Sequence, residues 1–146
     1  MLHKFNSLVD TFSEENNLAK NKIDDNVILL YIENFPLTIF FNNNFITLQS
    51  GVALVPDNDK EEFFKQLLIL NNNVIETSGT SFGFDTESDM VTLQFYCSIT
   101  NITQEEFDAL LFNFITILSN FMKKISYNDL IEEQYSNTDI TNVLRV

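Results

Sequence analysis

Leu2, Phe5, Leu8, Val9 and Phe12 recur at the spacing of one helical face and predict a helix from Leu2 to about Ala19. Lys20 to Asn26 is polar and reads as a loop. The period then changes. Val27-Ile-Leu-Leu-Tyr-Ile32 is a continuous apolar run, short enough for a strand covered on both faces. Glu33 to Pro36 reads as a turn. Leu37 to Phe41 alternates, with Leu37, Ile39 and Phe41 on one face and Thr38 and Phe40 on the other. Asn42 to Asn44 closes a hairpin into a longer strand, Phe45 to Val55, in which Gly51 marks a bulge.

Pro56-Asp57-Asn58-Asp59 supplies N-cap chemistry for a second helix, lined by Phe63, Phe64, Leu67, Leu68 and Leu70 and ended by Asn71 to Asn73. Val74 to Thr77 reads as a strand, Ser78 to Gly83 as an irregular or edge segment, and Phe84 as the start of a short strand. The polar turn Asp85 to Asp89 leads into a clear strand, Met90 to Ile99. Thr103 and Glu106 have the spacing of a capping box. The helix they open runs to about Ile125, with Phe107, Leu110, Leu111, Phe114, Ile117, Leu118 and Phe121 on a wide apolar face. From Ser126 onward the chain is polar and acidic with scattered apolar residues.

The order α-β-β-β-α-β-β-α, with room for one more short strand, predicts an α+β domain: an antiparallel twisted sheet with flanking helices. Residues 1–125 form that domain, and 126–146 an acidic C-terminal extension expected to be partly mobile. A chain of 146 residues can bury roughly two-thirds of its unfolded surface. Even so, three helices and a modest sheet leave more Phe, Ile and Leu than one core takes up. Surplus apolar surface predicts interfaces; two are expected, one for self-association and one for a partner.

Composition narrows the kind of partner. The net charge is −13, from 21 acidic against 8 basic side chains, which disfavours nucleic acid and anionic membranes. The bases form only the small groups Lys20/Lys22 and Lys123/Lys124. Fifteen Phe and no Trp suit cores and greasy patches, since Phe has no polar handle. No apolar run reaches the ~18 residues of a membrane span, and the N-terminus lacks the pattern of a secretory signal. Cys97 is the single cysteine, so a reducing, cytoplasmic setting is expected.

Candidate chemistry is sparse. His3 is the one histidine and has no evident partner for general-base work. Asp85, Glu87 and Asp89 alternate, but Met90 begins a strand where a calcium loop needs a glutamate and a second helix. Ser78-Gly79-Thr80-Ser81-Phe82-Gly83 lacks the lysine and glycine spacing of a phosphate loop. Cys97 lies within the apolar pattern Leu93, Phe95, Cys97 and reads as a small core residue. Neither catalysis nor a cofactor nor a metal is expected. The residual enzymatic reading rests on the carboxylates Glu76, Asp85 and Glu87.

The series of elements resembles the class I chaperones of bacterial type III secretion, the Tir chaperone or SycE-like family. Ile46 to Pro56 looks like the family's third strand ending in Val-Pro, and Phe63 to Asn71 like its second helix. Ser81-Phe82-Gly83-Phe84-Asp85 with Val91-Thr92-Leu93 is similar to its hairpin, and Ile102 to Phe121 to its final helix. The resemblance implies a cytoplasmic bacterial dimer that binds the N-terminal, non-globular segment of a secreted effector and keeps it competent for export. By position it implies client contacts at Phe5, Val9, Phe12, Ile39 and Phe41, and dimer contacts at Phe64, Leu67, Leu68 and Val74. A homodimer is the first expectation; half of a heterodimeric chaperone, or an adaptor or regulatory α+β dimer binding a folded partner, are the alternatives.

Overall fold

Two tight turns organise the first half of the sheet. Glu33 and Asn34 both have positive φ, as do Asn43 and Asn44, the signature of two-residue hairpins whose twist matches the strands. Asparagine supplies the left-handed conformation that glycine usually provides. The computed structural model describes residues 1–125, and the extension predicted over 126–146 lies outside them.

The described residues form α1 (Leu2–Glu15), β1 (Lys20–Asp24), β2 (Val27–Ile32), β3 (Phe35–Asn42), β4 (Phe45–Leu54), α2 (Lys60–Asn71), α3 (Val74–Thr77), β5 (Ser81–Asp85), β6 (Met90–Ser98) and α4 (Gln104–Lys124). The six strands make one antiparallel sheet in the order β1-β2-β3-β4-β6-β5. The α+β class therefore stands as read. The bulge near Gly51 is present as a register shift between Gly51 and Ala53 against β6.

One face of the sheet carries Leu30, Leu37, Ile39, Ile46, Leu48 and Leu93, all fully buried beneath the helices. Phe5 and Phe12 of α1 and Phe107 and Leu111 of α4 close over them. Phe5 stacks on Phe41 at 5.0 Å between ring centres, and Phe12 meets Phe107 edge-on at 6.3 Å. Ser13 and Asn16 return side-chain hydrogen bonds to the carbonyls of Val9 and Phe12, and Asn17 turns left-handed. These end α1 at Glu15, short of Ala19.

Three local readings change. Lys20 to Asp24 is an edge strand and no loop: every residue in it is exposed, so it has no apolar period to betray it. Pairing with β2 and an ion pair from Lys20 to Asp10 hold it in place. Val74 to Thr77 is a turn of helix, because the Asn73 side chain accepts the Glu76 amide at 3.2 Å and Ser78 and Gly79 both leave with positive φ. The Val27–Ile32 run is covered on one face only; Ile28, Leu30 and Ile32 are buried while Tyr31 is exposed.

The capping box at α4 is complete: Thr103 Oγ1 accepts the Glu106 amide at 3.2 Å, and the Glu106 carboxylate accepts the Thr103 amide at 2.8 Å. Thr103→Ala is expected to lower stability by about 1 kcal/mol in a denaturant melt. The Thr103 amide and then the Thr103 hydroxyl hold the Glu106 carboxyl below its ordinary value. A carboxyl depressed on folding contributes stability above its unfolded pKa, and that contribution is lost as pH falls through the folded value. Wild type should therefore lose its advantage over Glu106→Gln on acidification below about pH 4.5, as followed by paired thermal melts.

Candidate protein-binding surface

The residues predicted to hold a client do not form an accessible groove. Phe5, Val9, Phe12 and Ile39 are 0% exposed. They are the contacts that fasten α1 and β3 into the core. Phe41 is half-buried under Phe5. The client nomination of Phe5, Val9, Phe12 and Ile39 is corrected on that ground: the helical stripe of α1 is spent covering the sheet.

Accessible apolar surface lies elsewhere. The sheet face opposite the helices has no element packed on it among the described residues. Register aligns Val27, Phe40, Thr47 and Tyr96 in one row across β2, β3, β4 and β6. Phe45 stacks on Tyr96 with ring centres 4.8 Å apart and planes at 6°, an arrangement worth about 1 kcal/mol beyond area burial. Tyr96 remains 64% exposed, and Phe40 and Tyr31 are exposed beside it. The open-face positions of β2 and β3, of β4 from Phe45 to Gly51 and of β6 from Gln94 to Ser98 carry no charged side chain. On a chain of net charge −13 this is a neutral aromatic plate, ~15 Å across at the usual strand spacing.

A second surface lies at the α2–α3 corner. Leu68 is 68% and Ile75 is 92% exposed, with Ile69 and Val74 exposed beside them. Of the residues predicted for self-association, Leu68 and Val74 are thus on the surface, Leu67 is buried, and Phe64 is half-buried edge-on to Phe84 at 5.4 Å. Sequence reading missed Ile69 and Ile75. Reading 74–77 as a strand hid Ile75, whose exposure follows from a single helical turn that cannot bury an apolar residue on every side.

A third feature is a furrow between α4 and β6. It includes a cavity of about 460 Å³ lined by Phe95, Leu110, Phe114 and Ile117, together with Ser78, Thr80, Asn113 and Thr116. It continues past Cys97 and Ile102 at one end and past Phe121 to Lys123 and Lys124 at the other.

The candidate chemical groups are dispersed over the described residues. His3 is exposed on the first turn of α1. Burial pushes the Cys97 thiol up, away from the reactive thiolate. The Ser88 hydroxyl at 2.6 Å, and then the Glu87 amide at 3.2 Å, lower the Asp85 carboxyl, making it the anchor of the β5–β6 turn. Among the described residues no group of three or more His, Cys, Asp or Glu side chains is placed to hold a metal, and no helix is long and apolar enough to cross a membrane.

Among the described residues, a one-layer sheet with helices on one side presents two exposed apolar surfaces suited to holding another protein. The model of the Tir chaperone protein (CesT) family matches residues 7–122, and the chain belongs to that family. It is a chaperone by family, and the family is not an enzyme class. No curated protein matches the chain. Among solved structures it is similar to a chain of the ExsC–ExsE complex, with a TM-score of 0.71 and 21% identity over 84% of this chain and 94% of that one. It is also similar to a chain of the HopA1–SchA chaperone–effector complex, with a TM-score of 0.61 and 19% identity over 82% and 90%. The heterodimeric ExoU–SpcU complex from the type III secretion system of Pseudomonas aeruginosa gives 0.54 and 13% over 84% and 94%. At these identities the likeness is one of fold.

Proposed function

We propose that this protein is a type III secretion chaperone that binds the N-terminal, non-globular segment of a secreted effector in the bacterial cytoplasm, without catalysis. The observation that carries the reading is the neutral aromatic plate of Tyr31, Phe40, Phe45 and Tyr96, which no described element covers, on a strongly acidic chain of a chaperone family. The complexes similar in fold include a chaperone with its effector, which supports the same assignment. An extended guest suits this surface. A row of side chains across four strands offers affinity to alternate residues of a segment lying on it, while the acidic remainder keeps the assembly dispersed. Covering an exposed aromatic side chain contributes about 1–2 kcal/mol, so several are needed to offset the few kcal/mol that ordering a disordered segment costs.

The working unit is a homodimer joined through the α2–α3 corner, where Leu68 and Val74 of each chain meet the same surface of the other. An isologous contact of this kind requires a self-complementary patch. Leu68→Asp combined with Val74→Asp should convert the dimer to a monomer in sedimentation velocity, with the circular dichroism spectrum unchanged because both side chains already face solvent. The function is tested by purifying the tagged chain from its native host and weighing what accompanies it. The N-terminal part of a larger secreted protein, at two chaperone chains per client, supports the reading. A folded partner at equal stoichiometry would count against it.

A further inference from the structure

One wall of the α4 furrow is a single row of that helix. Glu106, Leu110, Asn113, Ile117, Asn120 and Lys124 follow one another at three- and four-residue steps, and all of them line it. The row is graded: acidic at the start of α4, neutral in the middle, basic at the end. Lys123 stands beside Lys124 at the basic end. Among the described residues neither lysine has an ion-pair partner. Glu76 lies across from them, held by Asn73 Nδ2 at 3.0 Å, so the mouth stays net basic. At the other end, among the described residues, Glu106 bonds the Thr103 amide and hydroxyl through Oε2. Between the two ends Phe95, Leu110 and Ile117 are half-buried and apolar.

The described chain stops at the mouth of this furrow. Ile125 is buried, and its amide donates to the Phe121 carbonyl at 2.7 Å. It leaves α4 beside Phe121, Lys123 and Lys124, on the helical side of the sheet and away from the aromatic plate. The sequence that follows carries the complement of the furrow in the same order. Asp129, Glu132 and Glu133 come first, then the aliphatic Ile140, Val143 and Leu144, then Arg145, the chain's one arginine. Acid would meet base, apolar would meet apolar, and base would meet acid. The lengths agree as well. From Lys124 back to Glu106 the helix rises ~27 Å, and the residues from Glu133 to Arg145 reach up to ~40 Å when extended.

We propose that residues 126–146 fold back antiparallel to α4 and fill the furrow of their own chain. Asp129, Glu132 and Glu133 meet Lys123 and Lys124, Ile140 and Leu144 cover Phe95, Leu110 and Ile117, and Arg145 reaches Glu106. The segment is then an internal guard of the furrow. A tethered segment acts at an effective concentration of about 1 mM, so an intrinsic affinity of ~0.1 mM fills the furrow about nine-tenths of the time. Anything else that enters must displace it, and binds about tenfold more weakly than to an empty furrow. This inference does not depend on the aromatic plate holding an effector, since the plate lies on the opposite face of the sheet.

Cys97, the chain's single cysteine, lines the far end of the furrow and reports its occupancy in the full chain. The probe is dithiodipyridine, a neutral thiol reagent whose approach is insensitive to charge changes. Labelling should be about tenfold faster in Ile140→Asp with Leu144→Asp than in the wild type, as nine-tenths occupancy requires, with the far-ultraviolet circular dichroism spectrum unchanged. Lys123→Glu with Lys124→Glu should speed labelling about threefold. Adding Glu132→Lys with Glu133→Lys to that variant should restore the wild-type rate, a rescue that loosened folding does not give. Equal labelling of the wild type and the Ile140/Leu144 variant would overturn the proposal. So would a charge reversal without rescue. A wild-type rate that falls as protein concentration rises would place a second copy in the furrow and overturn the intramolecular arrangement.

Discussion

Phe12→Asp is expected to abolish the native fold. The ring is fully buried, edge-on to Phe107 and 5.2 Å from Phe112. Removing a buried Phe costs about 3–5 kcal/mol, and a carboxylate left in its place adds several more or takes up a proton. That total approaches the whole stability of a small domain, about 5–15 kcal/mol. Near-ultraviolet circular dichroism should be lost, and the urea midpoint should fall to the baseline. A folded Phe12→Asp variant with normal stability would mean that α1 does not close the sheet as described. Such a variant does not report on client binding, because α1 is part of the structural frame.

The second large effect separates binding from folding. Phe40→Asp combined with Tyr96→Asp should weaken effector capture by about a hundredfold, equivalent to about 2.7 kcal/mol, while thermal unfolding shifts only modestly. Tyr96 is 64% and Phe40 37% exposed on the open face, and neither belongs to the core. The folding cost is the Phe45–Tyr96 stack, about 1 kcal/mol, and the covered part of the Phe40 ring, about 1 kcal/mol more. Two carboxylates on a neutral plate would meet apolar client side chains and repel acidic ones. Calorimetric titration of the effector segment measures the loss, and melts of the same samples measure the cost.

The architecture could be read from the chain because its strong signals are local. The helical spacing of Phe107 to Phe121 and the capping box at Thr103 specify α4 without tertiary information. The Asn43–Asn44 turn and the alternation of Leu37 to Phe41 specify a hairpin in the same way. β1 escaped because a strand exposed on every residue has no amphipathic period. α3 escaped because β-branched Val74 and Ile75 suggest a strand, and a single Asn73 cap outweighs that preference over one turn.

The binding surface was harder to read for a different reason. Periodicity says which residues share a face, and says nothing about which face another element covers. Phe5, Val9 and Phe12 and the plate residues Phe40, Phe45 and Tyr96 look alike as apolar positions. Only the packing of α1 and α4 on one side of the sheet separates core from surface. The uninterrupted run Val27–Ile32 did contain the signal, since it is apolar on both faces while the described helices cover one of them.

Hydrogen exchange on the complex with the captured effector tests the central assignment most directly, with both proteins followed by mass analysis. Protection should appear on the chaperone across β2, β3, β4 and β6, centred on Phe40 and Tyr96. On the effector it should be confined to an N-terminal stretch that has no protected globular core when free. Protection of a folded effector domain, with the Phe40–Tyr96 strands exchanging as they do in the free chaperone, would contradict it.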